Sequence, residues 1–242
     1  MKIEDIGFIT YAKQYEENSL LIKVLSKENG LISGYVRHTS KNKLDFQLGN
    51  LVKFNWSAKN INQLGSLKIN VLRSYLSVLI NNKFYLHIFD NISSLINNLL
   101  YERYLENDLF VIIEKIFLLM INNVGEMRIV KEYLIFENTI LNIVGTGIIF
   151  DNLCDFDDLF YISPKTGLAV SKTKGEPYKE KLFLFPKIFK DDNFTKDDIN
   201  DCFYLIDFFL KRYLEENNLY NKSRTLLLLK ENICFDIFNS KT

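Results

Sequence analysis

Apolar residues in the first eighty positions recur largely with a period of two, and from about Val78 onward the period becomes helical. Gly7 to Lys13 forms a first β-rich run and is followed by the polar turn Glu16-Glu17-Asn18. Leu20, Ile22 and Val24 keep period two, and then comes Asn29-Gly30, a hairpin signal because both residues tolerate positive φ. Leu31 to Arg37 returns, and a ten-residue polar connection from His38 to Gln47 leads to Gly49-Asn50. Val52, Phe54 and Trp56 then alternate with Lys53, Asn55 and Ser57, and Leu67, Ile69 and Val71 alternate with Lys68 and Asn70. Five short strands with one apolar face are most economically closed into a barrel, which leaves no unpaired sheet edge. An OB-type barrel is therefore expected.

From Val78 to Asn142 long apolar runs are broken at Asn107-Asp108, Asn122-Asn123 and Gly125, which predicts successive helices. Val130, Leu134, Leu141 and Val144 fall on one face of the last of them, and Gly145 is placed to stop it. Residues 146–181 read as an irregular excursion, with Pro164 and Pro177 and turn glycines at 167 and 175. Thr195 and Asp198 have the spacing of a capping box and predict a helix through about Glu216, and a last helix is expected from Lys222 to Phe238. The expected fold is α+β: an N-terminal five-stranded OB-type β-barrel over residues 1–80, then a mainly α-helical domain over 81–242 with an irregular insertion at 146–181.

Composition adds a charge asymmetry. Of 242 residues 48% are apolar and 14% aromatic, enough for a sizeable core. The formal charge sums to zero, yet residues 1–80 hold eleven Lys and Arg against six Asp and Glu, and the remainder carries the opposite surplus. Such a division points to a polyanionic partner for the basic part. Lys53 and Lys68 share strand faces with Asn55 and Asn70, near a connection that carries Lys41 and Lys43. A surface of this kind neutralises phosphates without sequence preference; the bland alternative is a wetted barrel exterior. Trp56 is either core, on the Val52/Phe54 face, or a platform for stacking bases.

Several chemistries find no footing. The start, Met1-Lys-Ile-Glu-Asp, lacks the apolar region of a signal peptide, and Leu109 to Ile121 is interrupted by Glu114-Lys115 and too short to span a bilayer. Cys154, Cys202 and Cys234 have no CxxC spacing, which disfavours a disulfide framework and a zinc ribbon and fits a reducing cytoplasm. His38 reads as a loop residue or phosphate neighbour and His87 as a packed helix position. Gly145-Thr-Gly147 follows a helix, so it lacks the strand that a dinucleotide fingerprint requires. Carboxylates gather at Asp151, Asp155, Asp157 and Asp158, and again at Asp191, Asp192, Asp197, Asp198 and Asp201. An EF-hand begun at Asp191 needs glycine sixth and glutamate twelfth but meets Lys196 and Cys202, so these acids read as solvated turns and helix N-terminal charges. No catalytic residue, metal ligand or cofactor is expected.

The stretch from Leu141 to Pro186 carries a specific series: Leu141-Asn-Ile-Val-Gly145-Thr-Gly147, Cys154, Asp158 through Ser171 with Ser163-Pro164-Lys165-Thr166-Gly167 at its centre, Gly175-Glu-Pro177-Tyr178 and Leu182-Phe-Leu-Phe-Pro186. With Asp5-x-Gly7, Ser26-Lys-Glu28-Asn-Gly30, Val36-Arg37, Leu48-Gly-Asn50, Trp56 and Leu64-Gly65, the chain resembles the RecO family of bacterial DNA repair proteins over nearly its whole length. The resemblance implies an N-terminal OB-fold and a helical domain, binding of single- and double-stranded DNA, annealing of complementary strands, and partnership with RecR and with the C-terminal tail of single-strand binding protein so that recombinase is loaded. It implies no enzymatic turnover. Two departures stand out: only Cys154 remains of the four zinc-binding cysteines that many members carry near this segment, and the connection after Arg37 lacks the glycines and arginines of relatives.

The leading expectation is thus a DNA-repair mediator, cytoplasmic and associated with the bacterial nucleoid, in which Lys23, Arg37, Lys41, Lys43, Lys53 and Lys68 engage phosphates. A non-enzymatic adaptor whose barrel binds protein is the alternative, separated by salt-sensitive retention on heparin. A metal-assisted nuclease built on the acidic turns is a third, separated by incubation of labelled DNA with Mg²⁺ or Mn²⁺.

Overall fold

A computed structural model describes residues 1–39, 42–60, 63–105, 107–150 and 155–219, together with Glu231, Ile233, Cys234 and Ile237. The chain divides into two compact units, Met1–Asn122 and Asn123–Thr242.

In the first unit, strands β1 (Lys2–Glu16), β2 (Ser19–Ser26), β3 (Gly30–Arg37), β4 (Leu51–Ser57) and β5 (Gly65–Arg73) close in the order β1-β2-β3-β5-β4, and β4 returns to β1. This is the expected OB-type barrel. Its first strand starts at Lys2, ahead of the β-rich run at Gly7, because it serves two neighbours. Lys2 to Phe8 pairs with β4, Gly7 to Glu16 pairs with β2, and register breaks after Ile9 and Gln14 bend it between them. Gly7 stands where both ladders meet; a Cβ there would lie 2.5 Å from the Leu25 carbonyl oxygen.

Inside the ring lie Ile9, Ile22, Val24, Val52, Phe54 and Trp56, which settles the role of the tryptophan as core. Trp56 is 1% exposed and donates its indole N–H to the Ser33 carbonyl oxygen at 2.9 Å. Gly65 faces it so closely that a Cβ would overlap the indole ring. A Cβ at Gly34 would stand 2.7 Å from Leu67 Cγ and 2.8 Å from the Gly65 carbonyl oxygen. Those two glycines let β3 and β5 meet.

Asp5 fastens the other end. Its carboxylate accepts hydrogen bonds from the Ser26 hydroxyl, the Glu28 N–H at 2.8 Å, the Asn29 side-chain amide at 2.8 Å and the Ile6 N–H at 2.7 Å. The turn before Gly30, where φ is +69°, is thereby held against β1. Partial burial pushes the Asp5 carboxyl up, but hydrogen bonds to its charged form outweigh burial and hold it below its ordinary value of 3.8.

Helices α1 (Leu76–Ile80), α2 (Lys83–Leu99) and α3 (Asn107–Ile121) complete the unit. Asn82 caps α2 by accepting from the Phe84 and Tyr85 N–H groups at 3.0 and 3.3 Å. Phe8 turns outward from the barrel and meets Phe110 and Phe117 of α3, with centroids 5.0 and 5.4 Å away, and Tyr75 stacks on Phe117 at 4.1 Å. Arg103 lies over the Trp56 ring, 4.4 Å from its centroid.

The second unit holds α4 (Glu126–Ile143), β6 (Ile149–Phe150), β7 (Leu159–Ile162), β8 (Leu168–Ser171), the one-turn α5 (Lys172–Gly175), β9 (Phe183–Leu184) and α6 (Lys196–Glu216). Within the irregular excursion the strands pair in the order β6-β8-β7-β9, with β9 just past its expected end. Strands of two to four residues are too short for their period to be read. The expected helix ends hold: Gly145 has φ of +83°, its N–H returns to Asn142 and the Thr146 N–H to Leu141, and the Thr195/Asp198 capping box opens α6. The helix expected from Lys222 to Phe238 lies largely outside the described residues. Among the described residues no helix is long and apolar enough to cross a membrane.

Gly65→Ala should destabilise the protein by about 1–3 kcal/mol through overpacking against Trp56, read as a lower urea midpoint; a change under about 0.5 kcal/mol would mean that the indole can move aside. Because the Asp5 pKa is depressed in the folded state, its contribution is complete above the unfolded pKa and lost as pH falls through the folded value. The stability gap between wild type and Asp5→Asn should be constant at neutral pH and shrink below about pH 4, measured by urea unfolding at stepped pH. A gap that does not narrow in acid would remove the charge from the explanation.

Candidate nucleic-acid interface

The barrel exterior opens where its closure is thinnest. β3 and β5 run parallel and pair only at Gly34↔Gly65 and Tyr35↔Ser66. Beyond that point they separate and leave a recess of about 490 Å³, lined among others by Tyr35, Arg37, Asn42, Phe46 and Lys68. Strand alternation explains which side chains reach it: Val36 points into the core, so Tyr35 and Arg37 point out. A second recess of about 600 Å³ shares Tyr35 and Ser66 with the first and adds Lys2 and Lys59.

Of the six residues expected from sequence to contact DNA, Arg37 and Lys68 line the same recess. Lys43 is exposed at the start of the 3₁₀ turn Lys43–Phe46, whose Phe46 forms part of the wall. Lys53 is paired with Asn70, and Asn55 with Lys68, so the two lysines are diagonal neighbours on the outer face of β4 and β5. Lys53 is also tied to Glu4 by an ion pair of 2.5 Å in which both side chains are about half exposed. Lys23 stands apart, on β2, whose ladder partners are β1 and β3; its ammonium lies 5.9 Å from the Tyr11 ring centroid. Lys41 lies outside the described residues.

Tyr35, Lys2 and Lys59 belong to the same surface and were missed. Tyr35 was legible as the outward neighbour of Arg37 two positions earlier. Lys2 was hidden because the first strand was started too late, and Lys59 because it follows the last alternating position of β4. The assembled surface offers ammonium and guanidinium groups for phosphates, side-chain amides for hydrogen bonds and one half-buried phenol ring, with Glu4 as a local counter-charge.

Elsewhere the candidate chemistry has structural employment. The His38 ring nitrogen is 3.4 Å from the Gln14 amide, and His87 is half-buried on α2. Asp198 accepts from the Thr195 N–H and hydroxyl, which lowers its carboxyl, while Asp191 accepts from the Asn193 N–H and Asp192 pairs with Lys131 at 2.6 Å. Among the described residues no group of three or more His, Cys, Asp or Glu side chains is placed to hold a metal ion. Cys154 lies outside them, Cys202 is buried and Cys234 half-buried.

The central series that carried the resemblance is framework. Gly167, at φ +73°, turns β7 into β8 and donates its N–H to the Ser163 carbonyl oxygen at 2.8 Å, while Arg212 donates to the carbonyl oxygens of Pro164 at 2.5 Å and Lys165 at 3.2 Å. Gly147 abuts both Asn142 and Gly167, so Gly145-Thr-Gly147 is a helix stop followed by a backbone contact.

Comparison with known proteins agrees with this framework. A family model described as "Recombination protein O N terminal" matches residues 1–75. The DNA repair protein RecO of Rickettsia canadensis (strain McKiel) is 35% identical over 230 residues, covering 93% of this chain and 94% of that protein. Those of Rickettsia akari (strain Hartford) and Rickettsia typhi (strain ATCC VR-144 / Wilmington) are 35% and 34% identical over 232 and 233 residues, again 93% of this chain.

Proposed function

The chain belongs to the RecO family of DNA repair and recombination proteins, and from that premise we propose that its barrel holds DNA in the recess between β3 and β5. Arg37 and Lys68 neutralise successive phosphates from opposite walls, and Lys43 and Lys53 extend the charge along the surface. Tyr35 stacks on a base. The contacts in this reading go to phosphates and to one base face, so a bound single strand keeps its pairing edge free, and the cations lower repulsion between two backbones. Those are the physical requirements for annealing complementary strands.

In this reading residues 1–80 are the DNA-binding module and residues 81–242 the helical scaffold that receives RecR and the C-terminal tail of single-strand binding protein, so that recombinase is loaded. The protein catalyses no reaction, uses no cofactor and works in the cytoplasm, at the nucleoid. Duplex DNA is held through the same phosphate contacts. The observation that carries the reading is the placement of Arg37, Tyr35 and Lys68 in one recess of a barrel with an excess of basic residues.

With four phosphate contacts, single-strand affinity should fall with salt with a log–log slope near about −3, and Arg37→Glu with Lys68→Glu should flatten it to about −1.4 or less. An unchanged slope would take the recess out of the mechanism, and wild-type protein that flows through heparin at low salt would favour the protein-binding adaptor. Glu4→Gln should free Lys53 and tighten single-strand binding roughly two- to fivefold at low salt, an effect that fades as salt rises. Weaker binding by that variant would instead mean that the Glu4 contact positions Lys53.

A further inference from the structure

Residues 165–190 reverse the charge of the part of the chain that contains them. Against the acidic surplus of residues 81–242, this segment holds seven lysines and two glutamates. It supplies β8 and β9 of the small sheet, beside which four phenylalanine rings meet at steep angles: Phe150 lies 5.4 Å from Phe156 and 5.8 Å from Phe185, and Phe185 lies 6.1 Å from Phe189. Phe160 stands on the neighbouring strand β7, where its carbonyl oxygen accepts the N–H of the half-buried Phe185 at 2.9 Å. Phe150, Phe156 and Phe160 are 36, 41 and 40% exposed. Grouped aromatic rings left this open mark a surface that something covers.

The neighbouring charges indicate what covers it. The Lys190 ammonium sits 5.4 Å from the Phe185 centroid and the Lys172 ammonium 5.3 Å from that of Phe160. Cations beside one exposed and one half-buried ring suit a chain that alternates phosphates with flat bases. An acidic peptide would satisfy the lysines but brings no regular succession of flat groups for the successive rings. Asp155 and Asp158 flank Phe156 and repel a phosphate backbone from that edge, so the favourable path runs over Phe160 and Phe185.

We propose that the small sheet of the second unit is a separate contact for single-stranded DNA, with bases stacked on Phe160 and Phe185 and phosphates beside Lys172 and Lys190. This deepens the reading of the barrel as a single-strand binder and rests on it for its function: a chain with two such contacts holds two strands at once, which raises the local concentration of each for the other.

The test is photocross-linking of the full-length wild-type protein to an oligothymidylate that carries 5-iodouracil, with the modified peptides mapped by mass spectrometry. Adducts are expected both at Tyr35 and at Phe160 or Phe185. Adducts at Tyr35 alone overturn this proposal and leave the barrel reading standing; adducts at the sheet alone support it and remove the barrel; adducts at neither overturn both. Phe160→Ala with Lys172→Glu, two exposed positions, should abolish the sheet adduct, spare the one at Tyr35 and slow annealing about tenfold. An annealing rate within about twofold of wild type, or binding of an Asp/Glu-rich peptide at the sheet without any DNA adduct there, overturns it.

Discussion

Closing five strands into a ring requires the third and fifth to meet side by side in parallel, and here they meet over two residue pairs only. Steric fit decides where. Trp56 fills the interior beneath this seam and reaches the Ser33 carbonyl, so the β5 residue against the edge of its indole can carry no side chain, and Gly65 is that residue. Gly34 meets the same demand on the facing strand. Where the glycines end, Tyr35 and Ser66 make one more pair, and the strands part. The recess that gathers Arg37, Tyr35 and Lys68 is therefore a by-product of how the barrel is sealed.

The same seam explains why some of the chain was legible in its sequence and some was not. Apolar alternation revealed which side of each strand is core, so the barrel, the interior residues and the outward lysines of β4 and β5 could be read directly. Alternation carries no information about which strands become neighbours. Lys23 and Lys68 look equivalent along the sequence, yet β2 and β5 lie on either side of β3, and only Lys68 reaches the recess. Helix ends were legible because capping is local: Thr195 with Asp198, and Gly145, need only their own neighbours. The small sheet was not, because strands of two to four residues are held by partners such as Arg212, far along the chain.

The short motifs on which the resemblance to the RecO family rests mostly mark joints. Asp5 binds the turn that contains Ser26, Glu28 and Asn29; Trp56 answers Gly65; Gly147 answers Gly167. Each matched pair is distant in sequence and touching in space, which is what a fold demands of its fasteners. The cations that face solvent meet no such geometric demand, so a lysine can move along a strand by two positions and still offer its charge to the same backbone. Charge surplus and alternation are then better guides to such a surface than any motif.

Phe8 has a consequence for how the protein is made. It lies on β1, yet it faces away from the barrel interior, and its partners Phe110 and Phe117 are synthesised more than a hundred residues later. The barrel wall that carries Phe8 stays greasy and uncovered until α3 has emerged. A nascent chain stalled just after β5 would hold every strand of the barrel and still be sticky, a natural client for chaperones that wait at the exit tunnel.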